Sequence, residues 1–393
     1  MQKKGYSLLQ VIIIIIITSI ISGITVGIIF SKSNLSSSGV SYSDVLNDNE
    51  LQEIIKTYYE LTNNYYKDID KKELTDKAIE GMTNYLNESY TSFLDENASN
   101  RLISQINGTY KGIGIITIDN MINYVDSNSP AEKAGIKVGD ILTHINNIPV
   151  NGKSNNELST IIMNEKNVNI KVLRNGNTFN FDVPVDFSDM PNAYAKILEN
   201  KIGYIRINSF SKNVGHDVQE TINELQKQKI NKYIIDVRDN PGGYLKSAKE
   251  IVSIFTKNGE KIYSVSTQNK KIDYYDNDDI QIKGSVIVLI NKQTASSAEV
   301  LASSLKDNGY ATIVGEKSYG KGKIQHMYSL SNGSTIKYTS SLWYTPNGNC
   351  IDGIGINADY YIENDKTYSD DTKTIINIQD TQLKYAQELL IKK

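Results

Sequence analysis

Ser296 and Ser297 lie in the stretch QTASSAEV (293–300), directly after the apolar run SVIVLI (285–290). Beyond them Ala298, Leu301, Ala302 and Leu305 recur at the i, i+3, i+4, i+7 spacing of a helix face, and Gly309 supplies its stop. The two hydroxyls therefore fall where a strand becomes a helix, beside backbone N–H groups that lack partners within the helix. A serine there ordinarily caps the helix. It becomes a nucleophile only if a neighbouring base takes its proton. The chain has three histidines, His144, His216 and His326, and none sits in a turn with an obvious Asp to orient it. A lysine is the other candidate base. Lys321 stands in GEKSYGKGKIQ (315–325), flanked by Gly320 and Gly322, which permit a sharp turn and close backbone approach.

Gly315 to Lys321 also matches the GxxxxGK phosphate-loop pattern. Residue 322 is Gly where a Ser or Thr must hold magnesium, and the segment leads into a strand instead of a helix, so nucleotide binding is rejected. A third stretch, DVRDNPGGYL (236–245), again joins a strand to a helix. Asn240-Pro241 marks a turn, and Gly242-Gly243 can present bare N–H groups in a concave nest that suits an oxyanion. Read alone, it is a plain strand-to-helix turn.

These three loops need a frame that brings them together. Residues 190–365 alternate strand and helix patterns: KIGYIRINSF, VGHDVQETINELQKQ, KYIIDVR, GYLKSAKEIVSIF, SVIVLI, the 296–308 helix and ATIVG. Such alternation predicts crossover units over a largely parallel sheet, whose strand C-termini share one edge. A hairpin turning at Asn332-Gly333 follows. Residues 105–186 read as a compact β-rich unit, with a Gly-punctuated strand at 111–118, a short helix stopped by Gly135, a Gly139-Asp140 turn, a helix over 155–164 and a hairpin about Asn175-Gly176. Upstream, from residue 44 to about 100, the pattern is helical. Leu51, Ile54, Ile55, Tyr58, Leu61, Tyr65 and Ile69 keep to one face and are expected to pack. The 370–393 tail ends in an amphipathic helix able to dock.

The 105–186 unit resembles a PDZ domain in Gly112-Ile113-Gly114-Ile115, in Ser129-Pro130-Ala131 followed by Ala134-Gly135, and in Val138-Gly139-Asp140. That resemblance implies that a peptide C-terminus adds as a strand, its carboxylate held by the N–H groups of Gly112, Ile113, Gly114 and Ile115. Taken with it, DVRDNPGG, TASSAE and GEKSYGKGKIQ resemble the C-terminal processing (tail-specific) serine peptidases, family S41. The resemblance implies Ser296 as nucleophile and Lys321 as base. It implies Gln325 as the residue that supports Lys321, and an oxyanion hole from Gly242 or Gly243 with the N–H of Ser297. It also implies a ClpP/crotonase-like α/β catalytic core. The sequence departs from the family pattern at Ala298, where a second serine is usual. Lys321 would serve only as a neutral amine, so Glu299 and Glu316 are expected to point away from it. No metal or cofactor is required.

The chain's 393 residues suit several domains, and 39% hydrophobic with 22% charged residues is a globular balance. A formal charge of −3 gives no argument for nucleic acid. The single Cys350 cannot form an internal disulfide. Residues 5–31 carry no charge and follow Lys3 and Lys4, which predicts an uncleaved transmembrane anchor with its N-terminus in the cytoplasm and the rest outside. The expected organisation is anchor (1–31), linker and helical segment (32–104), PDZ domain (105–186), serine peptidase domain (187–365) and helical tail (366–393). The expected partners are protein substrates with exposed, apolar C-terminal tails, and the flanking helices would suit a homodimer. A membrane-tethered PDZ adaptor with a dead core, and a crotonase-like acyl-transfer enzyme, are the rival readings.

Overall fold

The computed structural model describes residues 47–107, 111–127, 129–153, 155–186, 191–368 and 375–392. The stretch expected to cross a membrane lies outside them. Among the described residues no helix is long and apolar enough to span one. The chain divides into two compact units, up to Ile79 and from Glu80 onward. In the first, α1 (Asn49–Asn64) is capped by Asp48, whose carboxylate accepts the Leu51 N–H at 2.9 Å, and α2 (Lys71–Tyr85) begins. The apolar face of α1 was expected to pack, yet the helix buries no residue, and Ile54, Ile55 and Leu61 are exposed. It also stops at Asn64, short of Tyr65 and Ile69.

The second unit opens with β1 (Ser92–Leu94) and α3 (Glu96–Asn107). A PDZ-like body follows: β2 (Ile115–Ile118), β3 (Met121–Val125), α4 (Pro130–Ala134), β4 (Ile141–Ile145), β5 (Ile148–Pro149), α5 (Asn155–Met163), β6 (Asn167–Arg174) and β7 (Asn177–Pro184). Its sheet runs β2-β3-β4-β6-β7, with β5 on β4, so β2 is an edge strand. Ser129 caps α4, Pro130 starts it, and Gly135 at φ +93° ends it. Asn175 and Gly176 both take positive φ, as a two-residue hairpin loop requires. Asp140, almost fully buried, pairs with Arg174 through both carboxylate oxygens and fixes the turn before β4.

The chain then builds a six-stranded sheet from β8 (Ala193–Leu198), β9 (Ile202–Ile207), β10 (Lys232–Asp236), β13 (Ser285–Ile290), β14 (Ala311–Gly315) and β17 (Tyr360–Tyr361), in the order β17-β14-β13-β10-β9-β8. All its pairings are parallel except β8–β9. Helices α6 (Val214–Lys227), α7 (Leu245–Ser253) and α8 (Ser297–Asp307) cover one face, packing on Ile205, Ile235 and Val288. The terminal helix α9 (Thr381–Lys392) covers the other, with Ala386 and Leu390 on Ile234, Ile287 and Leu289. Both faces of the central strands are buried, which is why β9, β10, β13 and β14 read as continuous apolar runs, while edge strands β8 and β17 stay largely exposed. On the α9 face, buried Asp236 accepts from Arg206, Arg238 and Tyr204, and Arg238 reaches on to Asp380 and Gln382 at the start of α9. Burial alone would raise the Asp236 pKa, but the two guanidiniums hold it well below the usual carboxylate range.

A second sheet flanks the first. In it β16 (Thr335–Tyr344) pairs with β15 (Lys323–Ser329) along one edge, and with β1 and β11 (Lys261–Ser266) along the other. Strand β12 (Lys271–Tyr275) pairs with β11. A ribbon of β18 (Asp365–Tyr368) and β19 (Ile375–Gln379) sets Ile375 and Ile378 against Ile141 of the PDZ-like sheet.

Candidate active site

The three loops singled out in the sequence meet at the C-terminal edge of the parallel sheet, after β10, β13 and β14. The β10 loop is shaped by buried Asn240. Its side chain donates to Ile207 O at 2.8 Å and accepts the Gly242 N–H at 2.8 Å, and its own carbonyl accepts the Ala295 N–H. Gly242 and Gly243 hold φ of +100° and +145°. A Cβ at Gly242 would lie 2.7 Å from Ser296 Cβ, and one at Gly243 would lie 2.2 Å from Phe210 O. Both positions therefore need glycine for space as well as for conformation. Ser297 Oγ donates to Gly243 O at 2.8 Å and locks this loop to the start of α8.

Ser296 sits at φ +57°, ψ −122°, a conformation costly for any residue with a side chain. From Thr294 to Leu305 it is the one residue that is not buried. Glu299 holds it there. This buried carboxylate accepts the Ser296 N–H at 2.8 Å, Ser318 Oγ at 2.6 Å, the Gly320 N–H at 2.8 Å and the Lys321 N–H at 2.9 Å. One side chain thus fastens the serine loop to the lysine loop. Burial pushes the Glu299 pKa up, opposed by these four donors. Glu316 points away as expected, bridged to Lys292 at 2.6 Å, whereas Glu299 turns toward Lys321 and bonds its backbone N–H but not its amine. The turn around Lys321 is further fixed by Trp343 Nε1, which donates to Lys321 O at 2.9 Å, and by Asp352, which accepts the Gly322 N–H at 3.0 Å.

Ser296, Lys321, Gln325, Gly242 and Gly243 line a single cleft of about 560 Å³. The same cleft is lined by Ile115, Ile116 and Thr117 of edge strand β2 and by Leu158 and Ile162 of α5. The peptide-accepting edge expected of a PDZ domain thus opens into the same space. Within the GIGI stretch, Gly114 turns at φ +87°, Ile113 is buried, and the carbonyls of Ile113 and Gly114 accept from Ala131 and Asp126.

Three details differ from the sequence expectation. The Gly242 N–H is already donated to Asn240, which leaves the Gly243 and Ser297 N–H groups without partners among the described residues. Gln325, beside a bulge in β15, donates to Lys323 O at 3.1 Å and does not bond Lys321. The Lys321 amine makes no hydrogen bond to Ser296 Oγ. It rests 4.9 Å from the centroid of the Tyr90 ring. Its pKa is lowered, first by burial and then by the Lys337 charge, against opposing pulls from Glu299 and Glu88. Glu299 as the clamp could have been read from the Ser296-x-x-Glu299 capping-box spacing. Tyr90 and Lys337 carry no local signal, because only the folding of β1 onto β16 brings them near Lys321.

Comparison with known proteins agrees with this geometry. The family described as peptidase family S41 matches residues 201–362, a PDZ domain matches 121–174, and the activating protease CtpB N-terminal domain matches 26–98. The chain is 30% identical over 397 residues to carboxy-terminal processing protease CtpA of Bacillus subtilis (strain 168), covering 96% of this chain and 84% of that protein. With carboxy-terminal processing protease CtpB of the same organism it shares 32% over 367 residues, covering 88% and 76%. The solved photosystem II D1 C-terminal processing protease superimposes with a TM-score of 0.55 at 25% identity, over 81% of this chain and 88% of that one. The chain belongs to the carboxy-terminal processing proteases of peptidase family S41, and joins a PDZ domain to an S41 protease fold.

Proposed function

We propose that this protein is a serine endopeptidase that takes protein C-terminal tails on its PDZ domain and cuts peptide bonds with a Ser296–Lys321 dyad. The observation that carries the reading is the single cleft lined by Ser296, Lys321, the Gly242-Gly243 turn and the β2 edge. Neutral Lys321 takes the proton of Ser296 as Oγ bonds to the substrate carbonyl carbon. The Gly243 and Ser297 N–H groups receive the oxyanion, each such donor contributing roughly 3 kcal/mol. The Lys321 ammonium returns the proton to the leaving amine, and water then hydrolyses the acyl-enzyme. Gln325 steadies the lysine once its amine has moved to Ser296. The 5–31 segment anchors the protein, which places the catalytic part outside the cytoplasm among membrane-attached or exported substrates, and the helices at either end suit a homodimer.

The unbonded dyad is also what an inert PDZ adaptor would have, and one experiment separates the two. Full-length wild type, Ser296→Ala and Lys321→Ala are incubated with a protein bearing an apolar tail, and the products are read by mass spectrometry. Internal cleavage by the wild type alone is expected. Intact substrate with well-folded wild type, or cleavage by either variant at the wild-type rate, overturns the reading.

A further inference from the structure

We propose that Tyr90 is a positioning residue for the base, its ring face receiving the Lys321 ammonium and holding it off Ser296 until the amine is needed. The inference rests on the reading of Lys321 as that base. Tyr90 lies just ahead of β1, and its surroundings are built. Glu88 accepts the Tyr90 N–H at 3.2 Å, Thr91 Oγ1 at 2.9 Å and Thr339 Oγ1 at 2.8 Å, and pairs with Lys323 at 3.1 Å. From Ser92, paired with Lys337, β1 then runs antiparallel along β16. The ring is therefore fastened to the same sheet as the strand that leaves Lys321.

Nζ of Lys321 lies 4.9 Å from the ring centroid, inside the roughly 6 Å reach of a cation–π contact. Lys323 lies 5.7 Å from the same ring but has Glu88 as its partner. Lys321 has no carboxylate or hydroxyl within hydrogen-bond reach among the described residues. The charged groups around it are Glu299 from α8, Glu88 ahead of β1, Lys323 on β15, Lys337 on β16, and Asp352, which bonds the next backbone N–H. Tyr319, in the Lys321 loop, is a neighbour of Tyr90 itself. The Tyr90 phenol stays neutral at working pH, since burial and the neighbouring Tyr319 raise its pKa. The ring thus attracts through its face and not as a phenolate.

A ring face attracts the ammonium and not the amine. Protonation and the parked position therefore go together, and so do deprotonation and approach to Ser296. Burial and Lys337 favour the neutral form, and Glu299 and Glu88 oppose them. The Tyr90 ring face adds to that opposition at 4.9 Å from the amine. Weakening the ring's negative face should release the base at lower pH without changing the shape of the site.

The test replaces Tyr90 in the full-length protein by Phe and then by mono-, di- and trifluorinated Phe. The pH profile of kcat/KM on a tailed protein is measured for each, with Tyr90→Leu as a second probe. The Phe variant is expected to keep the wild-type acid limb. The fluorinated series and Tyr90→Leu are expected to move it stepwise to lower pH, by roughly half a unit to one unit in all. A limb that stays in place, or moves upward, overturns the proposal. Cleavage that persists in Lys321→Ala shows instead that the base itself was misassigned.

Discussion

At the residue scale, Ser296 is held where a side chain is unwelcome, at φ +57°, ψ −122°, and the surrounding bonds over-determine it. Glu299 takes its N–H from within, and Gly242 presses against its Cβ from without. The closeness of Gly242 makes a sharp prediction. Gly242→Ala puts a methyl group 2.7 Å from Ser296 Cβ and forces φ +100° on a residue that resists it, so the nucleophile must shift. A misplacement on the order of 1 Å costs about 100-fold in rate. Gly259, at φ +86° with nothing within 4 Å of its added Cβ, is the control. Gly259→Ala should cost about 1 kcal/mol of stability in urea unfolding and leave kcat/KM unchanged. Equal kcat/KM losses from both changes would show that the effect lies in backbone strain and not in contact with Ser296.

At the element scale, the central parallel strands β9, β10, β13 and β14 are legible from sequence because they are largely buried and bounded by turn residues, whereas β17, two exposed tyrosines, is not. The Gly242 loop is legible because Asn240, Pro241, Gly242 and Gly243 gather there. The PDZ-like hairpin declares itself through Asn175-Gly176. Strand β1 does not, since three residues carry no period and only the edge of β16 makes Ser92–Leu94 a strand. Strand β11 is likewise set in part by a partner distant in sequence, β16, whereas β8 and β12 pair with their chain neighbours β9 and β11. Among the described residues nothing buries the apolar face of α1, because amphipathic spacing says which face is apolar, not what covers it. The β1 junction has its own pH signature. Burial raises the Glu88 pKa, but bonds from Thr339, Lys323, Thr91 and the Tyr90 N–H outweigh it and bring the value from an ordinary 4.5 to about 2. A carboxylate with a depressed folded-state pKa contributes stability that is full above its unfolded value and is lost as pH falls toward the folded one. Urea midpoints measured between pH 7 and 2 should therefore fall through pH 4.5 to 2 in wild type. In Glu88→Gln the midpoint should be lower at pH 7 and decline less across that window. An identical decline in both would remove Glu88 from the account.

At the scale of the whole molecule, the PDZ-like body and the catalytic sheet share a cleft, and they also share bonds. The β2–β3 turn donates the Asp119 N–H to Asp239, three residues before Gly242, at 3.2 Å, and the Asp119 carboxylate takes Lys366 and Asn364, each at 2.9 Å. The strand that would pair with a substrate tail therefore ends on the loop that carries the glycine nest. The central claim joins the two ends of that design: Lys321, whose pKa burial lowers, takes the proton of Ser296 when in its neutral form. Its most direct test is the rate at which a peptidyl fluorophosphonate labels Ser296, followed by intact mass across pH in wild type and Lys321→Met. Wild-type labelling should rise with pH through one ionisation below the ordinary lysine value of 10.5, because the Lys321 pKa is lowered and only its neutral form accepts the proton. Lys321→Met should lose that rise and label about 100-fold to 10,000-fold more slowly. Superimposable profiles in the two proteins would contradict the account.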